Sequence, residues 1–129
     1  MTKAEQTAVE NRLHQARESL EEAKVLIVQD AEVNFVMNSL YYALLYPVFG
    51  LLQTKGMTPS THDDAIARFE HAFVRTKAVD ARFLDALRKA YELRPICACE
   101  GQKKPTHQDV EALLPIAEEF LELVGRMIE

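Results

Sequence analysis

Residues 35–53 read FVMNSLYYALLYPVFGLLQ, and the reading of this stretch decides the fold. It carries no charge, and its strongly polar interior residues are Asn38 and Ser39. A helix that is apolar on nearly every side is either a buried core helix or a membrane span. Pro47 and Gly50 interrupt the run, and strongly amphipathic segments surround it. The hydroxyls of Tyr41, Tyr42 and Tyr46 also need partners, which protein neighbours supply better than lipid tails do. The stretch is therefore read as the central helix of a soluble bundle.

The totals fit that reading. A chain of 129 residues with 48% hydrophobic residues suits a single domain, 1–129, with one core of ordinary size. The formal net charge of −5 argues against non-specific coating of nucleic acid or of an anionic membrane, while leaving room for a local basic pocket. The start, MTKAEQTAVE, is polar and acidic where a signal peptide needs a basic start and an apolar run, so the expected location is cytoplasmic, without a membrane. Cys97 and Cys99 are spaced too closely for an ordinary disulfide with each other, and the histidines His14, His62, His71 and His107 show no helical zinc spacing. No metal and no cofactor are expected, and the two cysteines read as small residues near a helix end.

Working outward, residues 3–29 place Val9, Leu13, Ala16, Leu20, Ala23 and Ile27 at intervals of 4, 3, 4, 3 and 4, a narrow apolar seam on one long helix. Asp30 is the expected cap of the central helix, which should bend before Pro47 and stop at Lys55-Gly56, with Gly56 as the residue after the cap. Thr61 with Asp64 opens a third helix over 62–76, which presents Ile66, Phe69 and Phe73. Asp80 opens a fourth, with Phe83, Leu84, Leu87 and Tyr91 on one face, ended at Arg94 by Pro95. Thr106 with Asp109 opens the last, which runs to about Met127. No segment alternates with period two. The expected fold is an all-α antiparallel bundle of about five helices.

No phosphate loop, dinucleotide fingerprint, nucleophile elbow or HExxH motif is present. Isolated polar residues remain as candidates. Asn38 and Ser39, in the most apolar helix, either line a groove or satisfy a neighbouring helix end. His62, Asp63 and Asp64 form a polar cap, or His62 moves a proton at a phosphate, although two carboxylates at that spot repel an anion. Arg94, among apolar neighbours, needs either a structural carboxylate or a ligand phosphate. Lys103 and Lys104 are too few for a nucleic-acid footprint.

Leu40-Tyr41-Tyr42-Ala43-Leu44-Leu45-Tyr46 resembles the S-R-x-Y-Y-A-x-F/Y helix of the HEPN superfamily, in particular its small stand-alone members. The resemblance continues through Leu51-Leu52, Gly56, Pro59 and His62, then Phe69 to Val74, then Leu93-Arg94, and covers about residues 10–125. It implies a dimerising all-α bundle of prokaryotic type, often encoded beside a small nucleotidyltransferase as a toxin–antitoxin pair. Active members are metal-independent ribonucleases that use an arginine followed at short range by a histidine. Three departures stand out. Ser39 replaces an expected arginine; Cys99, Glu100 and Gly101 occupy the positions where the histidine after Arg94 would fall; and the A-D-Y of the family becomes Ala98-Cys99-Glu100 after Pro95.

The reading that follows is a degenerate HEPN-like homodimer, leaning non-catalytic. It would bind a nucleotide, RNA or a partner protein, such as a nucleotidyltransferase, through a groove near Asn38, Ser39, Tyr42, His62, Asp63 and Arg94. The alternative is a divergent ribonuclease in which Arg94 and His62 are catalytic, and a further one is a structural dimer without a ligand. Tyr42→Ala is expected to cost about 3 kcal/mol, the cost of emptying a buried aromatic site.

Overall fold

The computed structural model describes residues 1–96 and 102–129, so the readings placed on Cys97 and Cys99 lie outside the described residues. Five α-helices follow in order: α1, Lys3–Val28; α2, Val33–Thr54; α3, His62–Phe69; α4, Ala81–Leu93; and α5, His107–Ile128. No strand occurs among the described residues.

The charge-free stretch lies within α2, and α2 packs against each of the other four helices. Met37, Leu40, Tyr41, Leu44, Leu45, Val48 and Leu52 have no exposed surface at all. By length and composition α2 could cross a membrane, but most of it is buried inside the bundle. α5 supplies Val110, Leu113, Ala117, Phe120 and Val124 to the same core. There Phe120 stacks on Phe83 with ring centroids 5.1 Å apart and meets Phe69 at 5.7 Å. Such aromatic contacts contribute beyond the area they bury.

The seam of α1 is buried at Val9, Leu13, Ala16, Leu20 and Ala23, as its spacing requires. Ile27 departs from it and is 40% exposed, with Val25 and Val28, because the last turn of α1 leads into the connection and loses its cover. Asp30 does not cap α2. It adopts φ 56°, the left-handed conformation that a short polar side chain tolerates at a helix end, and the Ala31 N–H closes the turn on the Leu26 carbonyl at 2.9 Å. Glu32 stands at the start of α2 instead, without a side-chain cap bond.

The other helix starts follow from their caps. The Thr61 hydroxyl accepts from the Asp64 N–H at 3.0 Å, Asp80 accepts from the Arg82 N–H, and Thr106 with Asp109 forms a reciprocal capping box. Asp64 differs from a reciprocal partner, because its carboxylate takes the Ser60 N–H and the Arg68 guanidinium, both at 3.0 Å. The third helix also departs from a continuous 62–76 segment. α3 ends at Phe69 and widens into a π turn over Glu70–Val74, where the Arg75 N–H reaches back five residues to the Glu70 carbonyl. Glu70 is held from α4 by Arg88 at 2.9 Å.

Candidate functional site

One helical turn carries about 3.6 residues, so positions 42, 46 and 49 of α2 share a stripe. Tyr42, Tyr46 and Phe49 are half-buried, while Ala43, Leu44, Leu45, Pro47, Val48 and Gly50 between them are buried. The rings of Tyr42 and Tyr46 lie 5.4 Å apart. α2 therefore turns one aromatic edge partly outward while the rest of its surface is spent on the core.

The connection after α2 delivers a histidine to that edge. Gly56, at φ 69°, ends the helix in a conformation that a side chain would strain, and the Thr61 cap then makes His62 the first residue of α3. The His62 ring centroid lies 5.8 Å from Tyr41, 6.2 Å from Tyr42 and 6.1 Å from Phe49, and its Nδ1 is 2.8 Å from the Tyr41 hydroxyl.

Arg94 reaches the same place from the end of α4. Its guanidinium lies 3.7 Å from the centroid of Tyr91 and 5.3 Å from that of Tyr41, and it donates to the Tyr91 carbonyl. The Arg94 carbonyl in turn accepts from Gln102 at 2.7 Å. Among the described residues, no carboxylate forms an ion pair with Arg94, and its guanidinium stacks on Tyr91. Asp63 turns to Tyr91 instead, and as hydrogen-bond acceptor it pushes the Tyr91 phenol above its ordinary pKa.

Burial raises the Tyr41 pKa well above the ordinary phenol value, and the nearby Arg94 charge only partly opposes this. Tyr41 therefore keeps its proton and can donate it to His62 Nδ1, which leaves the neutral imidazole with its own proton on Nε2. A half-turn of the hydroxyl lets Tyr41 accept from Nδ1–H instead, which frees Nε2 as a base. The hydroxyl thus fixes the ring and permits either tautomer.

The fold brings His62, Asp63, Tyr42 and Arg94 together around Tyr41 and Tyr91. Asn38 is exposed one turn before Tyr42 on the same outward edge, which corrects its reading as a buried amide. Ser39 is 4% exposed and faces the core, apart from this edge. Tyr42 is only half-buried, which corrects the cost expected from a fully buried ring.

Besides Tyr41, four residues at the site were not among the candidates read from the sequence. Tyr46 and Phe49 could have been found from their spacing to Tyr42, and Tyr91 from its position three residues before Arg94. Arg12 gave no signal, because it sits among the charges of α1. Its guanidinium lies 4.8 Å from the centroid of Phe49 and 5.8 Å from that of Tyr46. Among the described residues, no group of three or more His, Cys, Asp or Glu is placed to hold a metal ion. An aromatic edge with two stacked guanidinium groups and an imidazole can take a flat base and its phosphate together.

Comparison with known proteins finds both a family model and relatives. The family model for the HEPN domain matches residues 9–127. A UPF0332 protein of Thermotoga maritima is 31% identical over 114 residues, which are 88% of this chain and 86% of that protein. Two proteins of Methanocaldococcus jannaschii, each named "Putative toxin", are 26% and 28% identical over 88% of this chain and over 76% and 84% of their own lengths. No solved structure matches the chain.

Proposed function

The chain belongs to the HEPN family, and on that premise we propose a toxin-like module that binds a nucleotide or RNA on the outward edge of α2 without cleaving it. One observation carries the reading: His62 and Arg94, distant in sequence, are both seated against the ring of Tyr41. Arg94 supplies a permanent positive charge, His62 a hydrogen-bond donor at Nε2, and Tyr42 a partly open ring for a base. The named relatives support a toxin-like setting, in which the partner would be a second copy of this chain or a nucleotidyltransferase, in the cytoplasm.

The test is a titration of the purified protein, in EDTA, with fluorescein-labelled oligouridylate and with uridine monophosphate. Saturable binding is expected, with the RNA recovered intact. Arg94→Gln should weaken binding by about tenfold or more, the usual worth of a hydrogen bond to a charged group. Absence of saturable binding by a folded wild type would overturn the reading.

The Tyr41–His62 hydrogen bond favours a second reading, a divergent ribonuclease. There the imidazole, oriented by Tyr41, would move the proton and Arg94 would stabilise the charge developing on phosphorus. Cleavage lost in both His62→Ala and Arg94→Gln would establish this reading instead of the first.

A further inference from the structure

Of the described arginines, Arg12, Arg82 and Arg94 lie over aromatic rings, and Arg82 is also paired with Glu119 at 2.5 Å. Arg12 is half-buried, and its guanidinium hydrogen-bonds the neutral amide oxygen of Gln15 at 3.2 Å. Among the described residues, neither Arg12 nor Arg94 has a carboxylate in ion-pair range. Two stacked arginines, neither in an ion pair among the described residues, therefore flank one aromatic edge, Arg94 beside Tyr41 and Arg12 beside Phe49. Eight residues of helix separate those two positions, about 12 Å along the axis at 1.5 Å per residue. That rise along α2 leaves room for a separate phosphate at each end.

Resting on the binding reading above, we propose that Arg12, Tyr46 and Phe49 form a second phosphate-and-base subsite. The ligand of this face is then a single strand with at least two phosphates, lying along α2, and not a mononucleotide. The charges of Arg12 and Arg94, permanent and without an ion pair among the described residues, favour a polyanion as occupant. Asp63, the carboxylate that the contacts place here, is held at Tyr91 as a hydrogen-bond acceptor. A polyanion meets Arg12 and Arg94 with opposite charge, and half-exposed rings receive its bases with little sequence preference.

The experiment compares wild type, Arg12→Gln and Arg12→Lys, each checked for an unchanged helical spectrum. Each is titrated with octauridylate and with uridine monophosphate over a range of salt. Arg12→Gln should weaken the octamer about tenfold and flatten its salt dependence by about 0.7, one single-strand phosphate contact. It should leave the mononucleotide unchanged. Arg12→Lys should restore the salt slope but only part of the affinity, because an ammonium keeps the charge and stacks less well. Arg94→Gln should weaken both ligands. Equal losses for both ligands in Arg12→Gln, or no loss for the octamer, would overturn the second subsite while leaving the Arg94 site standing. Failure of wild type to bind either ligand would overturn both readings. A change of molecular mass in Arg12→Gln on sedimentation would assign the edge to contact between copies, against the proposal.

Discussion

Tyr41 lies wholly inside the bundle and shares a 2.8 Å hydrogen bond with His62, whereas Tyr42, the next residue, keeps part of its ring in solvent beside Tyr46 and Phe49. One step along a helix turns a side chain by about 100°, and here that rotation separates structure from recognition. Tyr41 is enclosed by Tyr91, His62 and the Arg94 guanidinium, so its ring orders the groups that would meet a ligand. Tyr42 touches Tyr41, Tyr46 and His62 and still has an open edge. The functional groups are thus arranged by a residue that a ligand would not contact.

The largest expected effect tests that division. Tyr41→Ala empties a fully buried aromatic site and removes the hydrogen-bond partner of His62, and should cost about 4 kcal/mol in a urea melt. Tyr42→Ala should cost about 1 kcal/mol, because part of its surface is already in water. Equal losses for the two variants would break the comparison and return Tyr42 to the core. Stability alone does not make the contrast complete. Tyr42→Ala should weaken RNA binding about fivefold or more while the protein remains folded, the lower end of the range for a stacked base.

A smaller effect concerns the hydroxyl. Tyr41→Phe keeps the ring and loses the bond to His62, which should cost about 1 kcal/mol at neutral pH. The pH dependence gives a second check. The folded-state pKa of Tyr41 is raised by burial above its ordinary value of 10.0, so the folded chain holds the proton after the unfolded chain has lost it. The unfolded state then binds fewer protons, and stability is present below pH 10 and falls as pH rises further, by up to about 1.4 kcal/mol per unit from this group. Tyr41→Phe should therefore be less stable than wild type at pH 7 but lose less between pH 10 and pH 11. Parallel curves for the two proteins over that interval would mean that Tyr41 is not buried as a neutral phenol.

The bundle was legible in the sequence because its signals are local. The charge-free run 35–53, the seam of α1 and the caps Thr61, Asp80 and Thr106 each depend on neighbours within one or two turns. Asp30 misled because the same residue type suits a helix start and the left-handed turn that ends one, and only the Ala31 bond to Leu26 distinguishes them. The π turn after Phe69 was hidden because Phe69 and Phe73 keep a helical spacing whichever way the carbonyls bond. At the site, His62, Asp63 and Arg94 stood out as polar groups in unusual surroundings. Arg12 did not, because its placement over Phe49 comes from how α1 crosses α2 and from nothing in its own surroundings in the chain.

That crossing gives the smallest and most specific prediction. Gly50 lies buried in α2 where it faces α1, and an added Cβ would sit 3.7 Å from the Arg12 Cβ, 3.8 Å from Ile128 Cδ1 and 3.9 Å from Leu13 Cδ2. These are ordinary van der Waals contacts, so alanine fits without displacing α1. Glycine inside a helix costs about 1 kcal/mol relative to alanine through backbone entropy, and Gly50→Ala should recover most of that as a raised urea midpoint. Because the new methyl group meets the Arg12 Cβ at an ordinary van der Waals distance and does not reach its guanidinium, octauridylate affinity should stay close to that of wild type. A destabilised Gly50→Ala would show that α1 and α2 approach more closely than their side chains allow here. A stable variant with weakened binding would show that the position of Arg12 over Phe49 depends on the bare backbone at Gly50, so that the spacing of the two helices, more than the arginine itself, sets the outward edge of α2 apart from its buried face.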